Sequence, residues 1–131
     1  MKRTKIIMLL MPFLSIINQV NAQTSIQSLT PAEFKALSER TKGIIIDVRN
    51  KEEFDFAHIP NAIQIGVESA DFKTQIDSLD KNKSYFVYCG IGKRSATAIS
   101  IMQTEGFKNV FGLQGGFLEW KKQELPVVKH K

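Results

Sequence analysis

From residue 26 to residue 111 the chain alternates short apolar runs with segments of helical period, the pattern of a parallel sheet carrying helices on its faces. Five strands are predicted, at residues 26–29, 44–48, 62–65, 85–88 and 109–111. Ile44-Ile45-Ile46 is apolar without alternation, as a strand covered on both faces must be. The first helix is marked at its start, where Thr30 is placed to cap, Pro31 opens the first turn and Glu33 completes a capping box. Leu29 and Phe34 occupy the two positions of a hydrophobic staple, which sets the entry angle of that helix. A second, short helix starts at Asn50, with Glu53 three residues on. The third spans 69–79, with Phe72, Ile76 and Leu79 on one face, and Asp80-Lys81-Asn82-Lys83 turns the chain after it. The fourth, 95–105, is apolar around most of its circumference, which predicts burial, and Gly106 ends it. Gly115-Gly116 introduces a last amphipathic segment, in which Phe117 and Trp120, like Phe107 before it, read as core residues. Beyond Pro126 the basic tail Lys129-His130-Lys131 reads as a solvated terminus.

The amino terminus has a different pattern. Residues 1–5 are basic, residues 6–17 are apolar, and Val20-Asn21-Ala22 sets small residues three and one before a cut ahead of Gln23. The apolar run falls short of the roughly 18 to 20 residues that cross a bilayer, and Pro12 interrupts it, so a cleaved export signal over residues 1–22 is expected rather than an anchor. Gln23 stands where a lipid anchor would need Cys. The expected product is one domain, 23–131, in the periplasm or secreted, without stable membrane association once the signal is removed; an uncleaved anchor is the alternative. Lys2, Arg3 and Lys5 belong to that segment, so the formal charge of +5 falls to +2 without it, too little to argue for nucleic acid. With 43% hydrophobic and 24% charged residues, the chain can bury a core. A single cysteine excludes an intramolecular disulfide, and with only His58 and His130 beside it a Cys/His zinc site is excluded as well.

That cysteine is where chemistry concentrates. Cys89 ends the fourth strand, and Gly90-Ile91-Gly92-Lys93-Arg94 joins it to the helix opened by Ser95. Ligands of open α/β sheets bind at the carboxyl ends of the strands. Two glycines allow a tight curl whose amides converge on an anion, the helix adds its positive end, and Lys93 and Arg94 add charge. A thiol in such a cup ionises below its free value of about 8.5 and becomes a nucleophile. The plain alternative is a small buried side chain at a strand end beside an ordinary turn. Asp47 and Arg49, at the end of the second strand, are read first as an ion-pair network fixing the loops, and second as a possible anion contact through Arg49. Glu53 and Arg94 are candidate partners, and His58 is read as a structural hydrogen-bonder rather than as a base for Cys89.

Ile46-Asp47-Val48-Arg49, Glu53-Phe54, His58-Ile59-Pro60-Asn61-Ala62, Tyr88-Cys89, Gly92, Arg94-Ser95, Gly106-Phe107 and Leu113-Gln114-Gly115-Gly116 through Trp120 resemble, in order, the motifs of the single-domain rhodaneses, a family of sulfurtransferases. The resemblance implies an α/β fold with a five-stranded parallel sheet flanked by helices on both faces. It also implies that Cys89 carries sulfur as a persulfide while Gly90, Ile91, Gly92, Lys93 and Arg94 cradle the transferred group. The implied reaction moves sulfane sulfur from a small anionic donor such as thiosulfate, or from a persulfide, to a small or protein thiol or to cyanide, with no metal or organic cofactor. Ala57 and Asn61 stand where the family commonly has Gly, both in a turn. Related phosphatases and arsenate reductases of this fold place one residue more between Cys and Arg than the four, Gly90 to Lys93, found here, and the position that Arg would take is Ser95. The smaller cup favours sulfur over phosphorus. A binding or sulfur-carrier module without turnover is the other alternative.

Overall fold

The computed structural model describes Thr4 and residues 25–130. The expected export signal lies, Thr4 apart, outside the described residues. Five parallel strands stand in the order β1 (Gln27–Leu29), β6 (Asn109–Leu113), β5 (Ser84–Tyr88), β2 (Ile44–Asp47) and β4 (Ile63–Gln64). A separate antiparallel pair joins β3 (Ala57–His58) to β7 (Val128–Lys129). The five-stranded parallel sheet expected from the sequence is therefore present, with helices on both faces.

The two faces follow from the period of two along β5. Tyr85, Val87 and then Cys89 point into one core, shared with Phe72 and Ile76 of α3 (Phe72–Asp77) and with Ala98, Ile99 and Met102 of α4 (Lys93–Thr104). Phe86 and Tyr88 point into the other, shared with Phe34 of α1 (Pro31–Thr41) and with Phe117 and Trp120 of α5 (Gly116–Lys122). Cys89 thus leaves the strand on the α4 side, 1% exposed, at the carboxyl edge of the sheet.

The helix starts obey local chemistry. Thr30 Oγ1 accepts from the Glu33 amide at 3.3 Å, and Leu29 packs with Phe34 in one core. Asn50 Oδ1 accepts from the Glu53 amide at 2.9 Å and so starts α2 (Lys51–Phe56), which places Glu53 in its first turn. Two helix boundaries differ from expectation. α3 runs from Phe72 to Asp77 rather than over 69–79, because Leu79 pairs with Ile76 in a tighter turn. α4 starts at Lys93, two residues before the expected Ser95, because Gly92 at φ +107° serves as its cap without any side-chain hydrogen bond. Lys129 and His130 are exposed, as expected of a solvated tail, but their backbone is paired: β7 pairs with β3, and the His130 amide donates to Phe56 O at 3.0 Å, while upstream Trp120 Nε1 donates to Pro126 O at 2.9 Å. Asn61, in place of a common Gly, takes φ +66°, a region that Asn reaches more easily than most residues. No described helix is long and apolar enough to cross a membrane.

Candidate active site

The loop between β5 and α4 closes on the sulfur of Cys89. The Gly92 amide donates to Sγ at 3.1 Å, and Sγ lies 3.5 Å from the Ser95 hydroxyl, which itself donates to Gly92 O at 3.0 Å. Loop carbonyls are held on the opposite side, since the Phe117 amide donates to Cys89 O at 2.8 Å and the Leu118 amide to Gly90 O at 3.0 Å. The start of α5 therefore fixes the orientation of the loop. Gly116, at φ +62°, makes this approach possible, because a Cβ there would sit 2.6 Å from both Gly90 C and Gly90 O. Ile91 at the tip of the loop is 69% exposed, and Lys93 is exposed beside it.

Burial opposes ionisation of Cys89. The Ser95 hydroxyl and the amides of Ser95, Gly92 and Ile91 outweigh it and hold the thiol below its ordinary value. The amides are those the sequence leads one to expect, and the charge of Arg94 also interacts with Cys89. Arg94 turns to Glu53, Nη1 to Oε1 at 2.8 Å and Nη2 to Oε2 at 3.0 Å, a two-pronged ion pair that balances its charge. The pair holds the Glu53 carboxyl below its ordinary value, through the Arg94 hydrogen bonds against partial burial, and raises Arg94. Hydrogen bonds from Ser95 and the loop amides are thus the main causes that lower this thiol, with Arg94 beside them.

A second network braces the floor. Arg49 donates from Nε and Nη2 to the Asp47 carboxylate, at 2.7 Å in the closest contact, and from Nη2 to Ala57 O at 2.6 Å. Tyr88 Oη donates to Asp47 Oδ2 at 2.7 Å and accepts from the Ile59 amide at 3.0 Å, and burial together with Asp47 raises the phenol far above its ordinary value. The Arg49 guanidinium also lies over the Phe117 ring at 4.5 Å, which connects this network to the helix that orients the Cys89 loop. His58 takes no part at the sulfur: its Nδ1 lies 2.9 Å from Phe54 O and its ring stacks on Phe54.

The structure thus gathers Cys89, Gly92, Arg94 and Glu53 at one edge and supports them from beneath with Asp47 and Arg49. Sequence reasoning singled out neither Ser95 nor Gly116 as site residues, although the departure of Ser95 from an Arg position and the Gly115-Gly116 pair were visible signals. Tyr88 stands in the Tyr88-Cys89 motif, but the long-range partners of its hydroxyl, Asp47 and the Ile59 amide, are visible only in the fold. No cluster of three or more potential metal ligands occurs among the described residues.

A family model for the rhodanese-like domain matches residues 30–123. Among solved structures, a rhodanese-related protein from Thermoplasma volcanium superposes with a TM-score of 0.69 at 28% identity, covering 78% of this chain and 97% of that one. Among curated proteins, the chain is 35% identical over 95 residues to a tRNA uridine(34) hydroxylase from Cytophaga hutchinsonii, covering 70% of this chain and 30% of that protein. It is 33% identical over 100 residues to the probable adenylyltransferase/sulfurtransferase MoeZ of Mycobacterium tuberculosis, covering 76% of this chain and 26% of that protein. The chain thus spans less than a third of the length of these curated relatives, which have it as one part of a larger protein. By its fold, its motif order and the match over residues 30–123, the chain belongs to the rhodanese-like domain family.

Proposed function

We propose that this protein is a sulfurtransferase that carries sulfane sulfur on Cys89. The observation that carries this reading is the position of Sγ at the carboxyl end of the central strand, within hydrogen-bond reach of the Gly92 amide and the Ser95 hydroxyl. The Cys89 thiolate attacks the outer sulfur of thiosulfate, the S–S bond of the donor breaks, and sulfite leaves with the electron pair, so that a persulfide anion remains on the enzyme. As the thiol ionises, the Ser95 hydroxyl turns its proton from Gly92 O to the sulfur. The amides that steady the thiolate are placed to steady the persulfide, as preorganised donors do at developing anions. An acceptor nucleophile, cyanide or the thiolate of a small or protein thiol, then attacks the outer sulfur and releases Cys89 as thiolate, a double displacement.

The sulfurtransferase named in the M. tuberculosis relative supports this chemistry. The short loop supports it against phosphoryl transfer, because Arg94 is committed to Glu53 and Ser95 stands where a longer loop would supply Arg. Lys93, exposed at the mouth, attracts the dianionic donor. The basic and apolar pattern of residues 1–22 supports a site of action in the periplasm or outside the cell.

The test is the intact mass of the reduced protein before and after thiosulfate, with Cys89→Ser alongside, followed by cyanide. The expected result is a gain of one sulfur atom by the wild type alone and repeated thiocyanate release. Loading without repeated release would make the protein a carrier, and no loading on a free, reduced thiol would overturn the thiosulfate reading.

A further inference from the structure

Beside the loop lies a cleft of about 480 Å³, within the range of small-molecule sites. One wall is α2, with Phe56; the other is α5 and the β7 strand, with Phe117, Lys121, Val127 and Lys129; Arg49 lies at the base. It adjoins the sulfur-bearing loop through two contacts already described, since the Phe117 amide holds Cys89 O and Glu53, also on the α2 wall, holds Arg94. Val127 and Lys129 of this wall are held in place by the β3–β7 pairing and by the Trp120 bond to Pro126 O.

Three observations give the cleft a chemical preference. The Arg49 side chain is 6% exposed, and its Nε and Nη2 are taken by Asp47 and Ala57 O, whereas Nη1 makes no hydrogen bond. Arg49 is one of the residues that line the cleft. Lys121 and Lys129 form no ion pair among the described residues, and the one unpaired carboxylate facing them is Glu52, because Glu53 is held by Arg94. The interior between these groups is apolar, with Phe56 79% exposed at its edge.

We propose that the cleft is a carboxylate subsite for the small thiol that removes sulfur from Cys89, a class of acceptor whose carbon chain ends in a carboxylate. Lys121, Lys129 and Arg49 at the base receive the carboxylate, while Phe56 and Val127 receive the chain. The proposal rests on the persulfide reading above. In the transfer, the acceptor thiolate forms a bond to the outer sulfur, the S–S bond to Cys89 breaks, Cys89 keeps the electron pair as thiolate, and the acceptor leaves as a persulfide. No oxidant or reductant is consumed.

The test loads the full-length protein with thiosulfate, removes the excess, and follows loss of the added sulfur by intact mass with 3-mercaptopropionate, 2-mercaptoethanol or cysteamine at equal thiolate concentration. The expected result is half-saturation by 3-mercaptopropionate at a concentration about tenfold lower than for the other two, the effect of one charge-assisted hydrogen bond. Reversing both lysines, Lys121→Glu with Lys129→Glu, removes that preference. Equal half-saturation by all three thiols, or a preference that survives both reversals, overturns the proposal. A second measurement separates its failure from failure of the persulfide reading. Cys89→Ser, which cannot load, is titrated with butanoate and with butan-1-ol while backbone amide shifts are followed. Saturable shifts at Phe117 and Lys129 with butanoate alone support the subsite, and equal responses to the two overturn it.

Discussion

Replacing Gly116 by Ala tests the claim that α5 orients the Cys89 loop. At φ +62° an alanine carries the left-handed penalty, about 1–2 kcal/mol. Its Cβ would also stand 2.6 Å from Gly90 C and O and 2.7 Å from Ile91 N. Carbon contacts are comfortable from about 3.5 Å, so a gap of the order of an ångström has to open. Both sides of that gap are backbone and cannot rotate away, so the overpacking cost of about 1–3 kcal/mol applies in addition. The total is a loss of about 2–5 kcal/mol. Gly106→Ala is the control: φ is +96° there, but the nearest atom a Cβ would meet is the flexible Lys81 Cδ at 3.8 Å, so only the backbone part remains. Urea unfolding of both variants isolates the steric part as the difference between them. Because the displaced atoms belong to the loop, Gly116→Ala should also load sulfur from thiosulfate at least about tenfold more slowly, in line with the cost of ångström-scale misplacement of reacting groups. Gly106→Ala should load normally. Equal midpoints and equal loading for the two variants would refute the reasoning.

Alkylation of Cys89 by neutral iodoacetamide should rise with pH and level off below the range of an ordinary thiol, since the reactive form is the thiolate and the thiol is held low. Ser95→Ala should move that midpoint up, whereas Lys93→Ala and added salt should leave it in place; a midpoint that follows salt or Lys93 would return the activation to charge. Tyr88→Phe removes a donor from the buried Asp47 carboxylate and an acceptor from the Ile59 amide, so urea unfolding should show a loss of about 2–4 kcal/mol. A loss under about 1 kcal/mol would mean that neither group depends on the phenol.

What could be read in the sequence was what short-range chemistry decides. The Thr30, Pro31 and Glu33 signature placed the start of α1, and the apolar run through Ile44-Ile45-Ile46 placed a buried strand, because caps and burial act over a few residues. α4 starts two residues before Ser95 because Gly92 caps it through a backbone angle that sequence does not display. β3 and β7 are two residues each and come from distant parts of the chain, so neither has a period to detect. The tail is solvated at its side chains, as its sequence suggests, and only its backbone pairing escapes the pattern. At the site, Cys89 and its glycines were visible, while the division of labour around them was not. Arg94 beside a cysteine suggests charge, and only the fold shows that Glu53, across the edge of the sheet, takes that charge up.

The division has a consequence for how such a site works on anions. Full positive charge in the loop would lower the thiol but would also hold sulfite after transfer, since a cation attracts product and donor alike. Neutral donors act over a shorter range: the Gly92 amide at 3.1 Å and the Ser95 hydroxyl at 3.5 Å reach the sulfur bound to the protein and discriminate little among anions farther out. The Glu53–Arg94 pair keeps a guanidinium beside the loop with its charge balanced. Besides Lys93 in the loop, the neighbouring cleft carries Lys121 on α5, over the Phe117 ring at 5.1 Å, and Lys129 on β7. On the proposed reading, the donors that reach Sγ and the lysines of the cleft stand on different elements, so Lys129→Glu should change acceptor preference while leaving the alkylation midpoint of Cys89 in place.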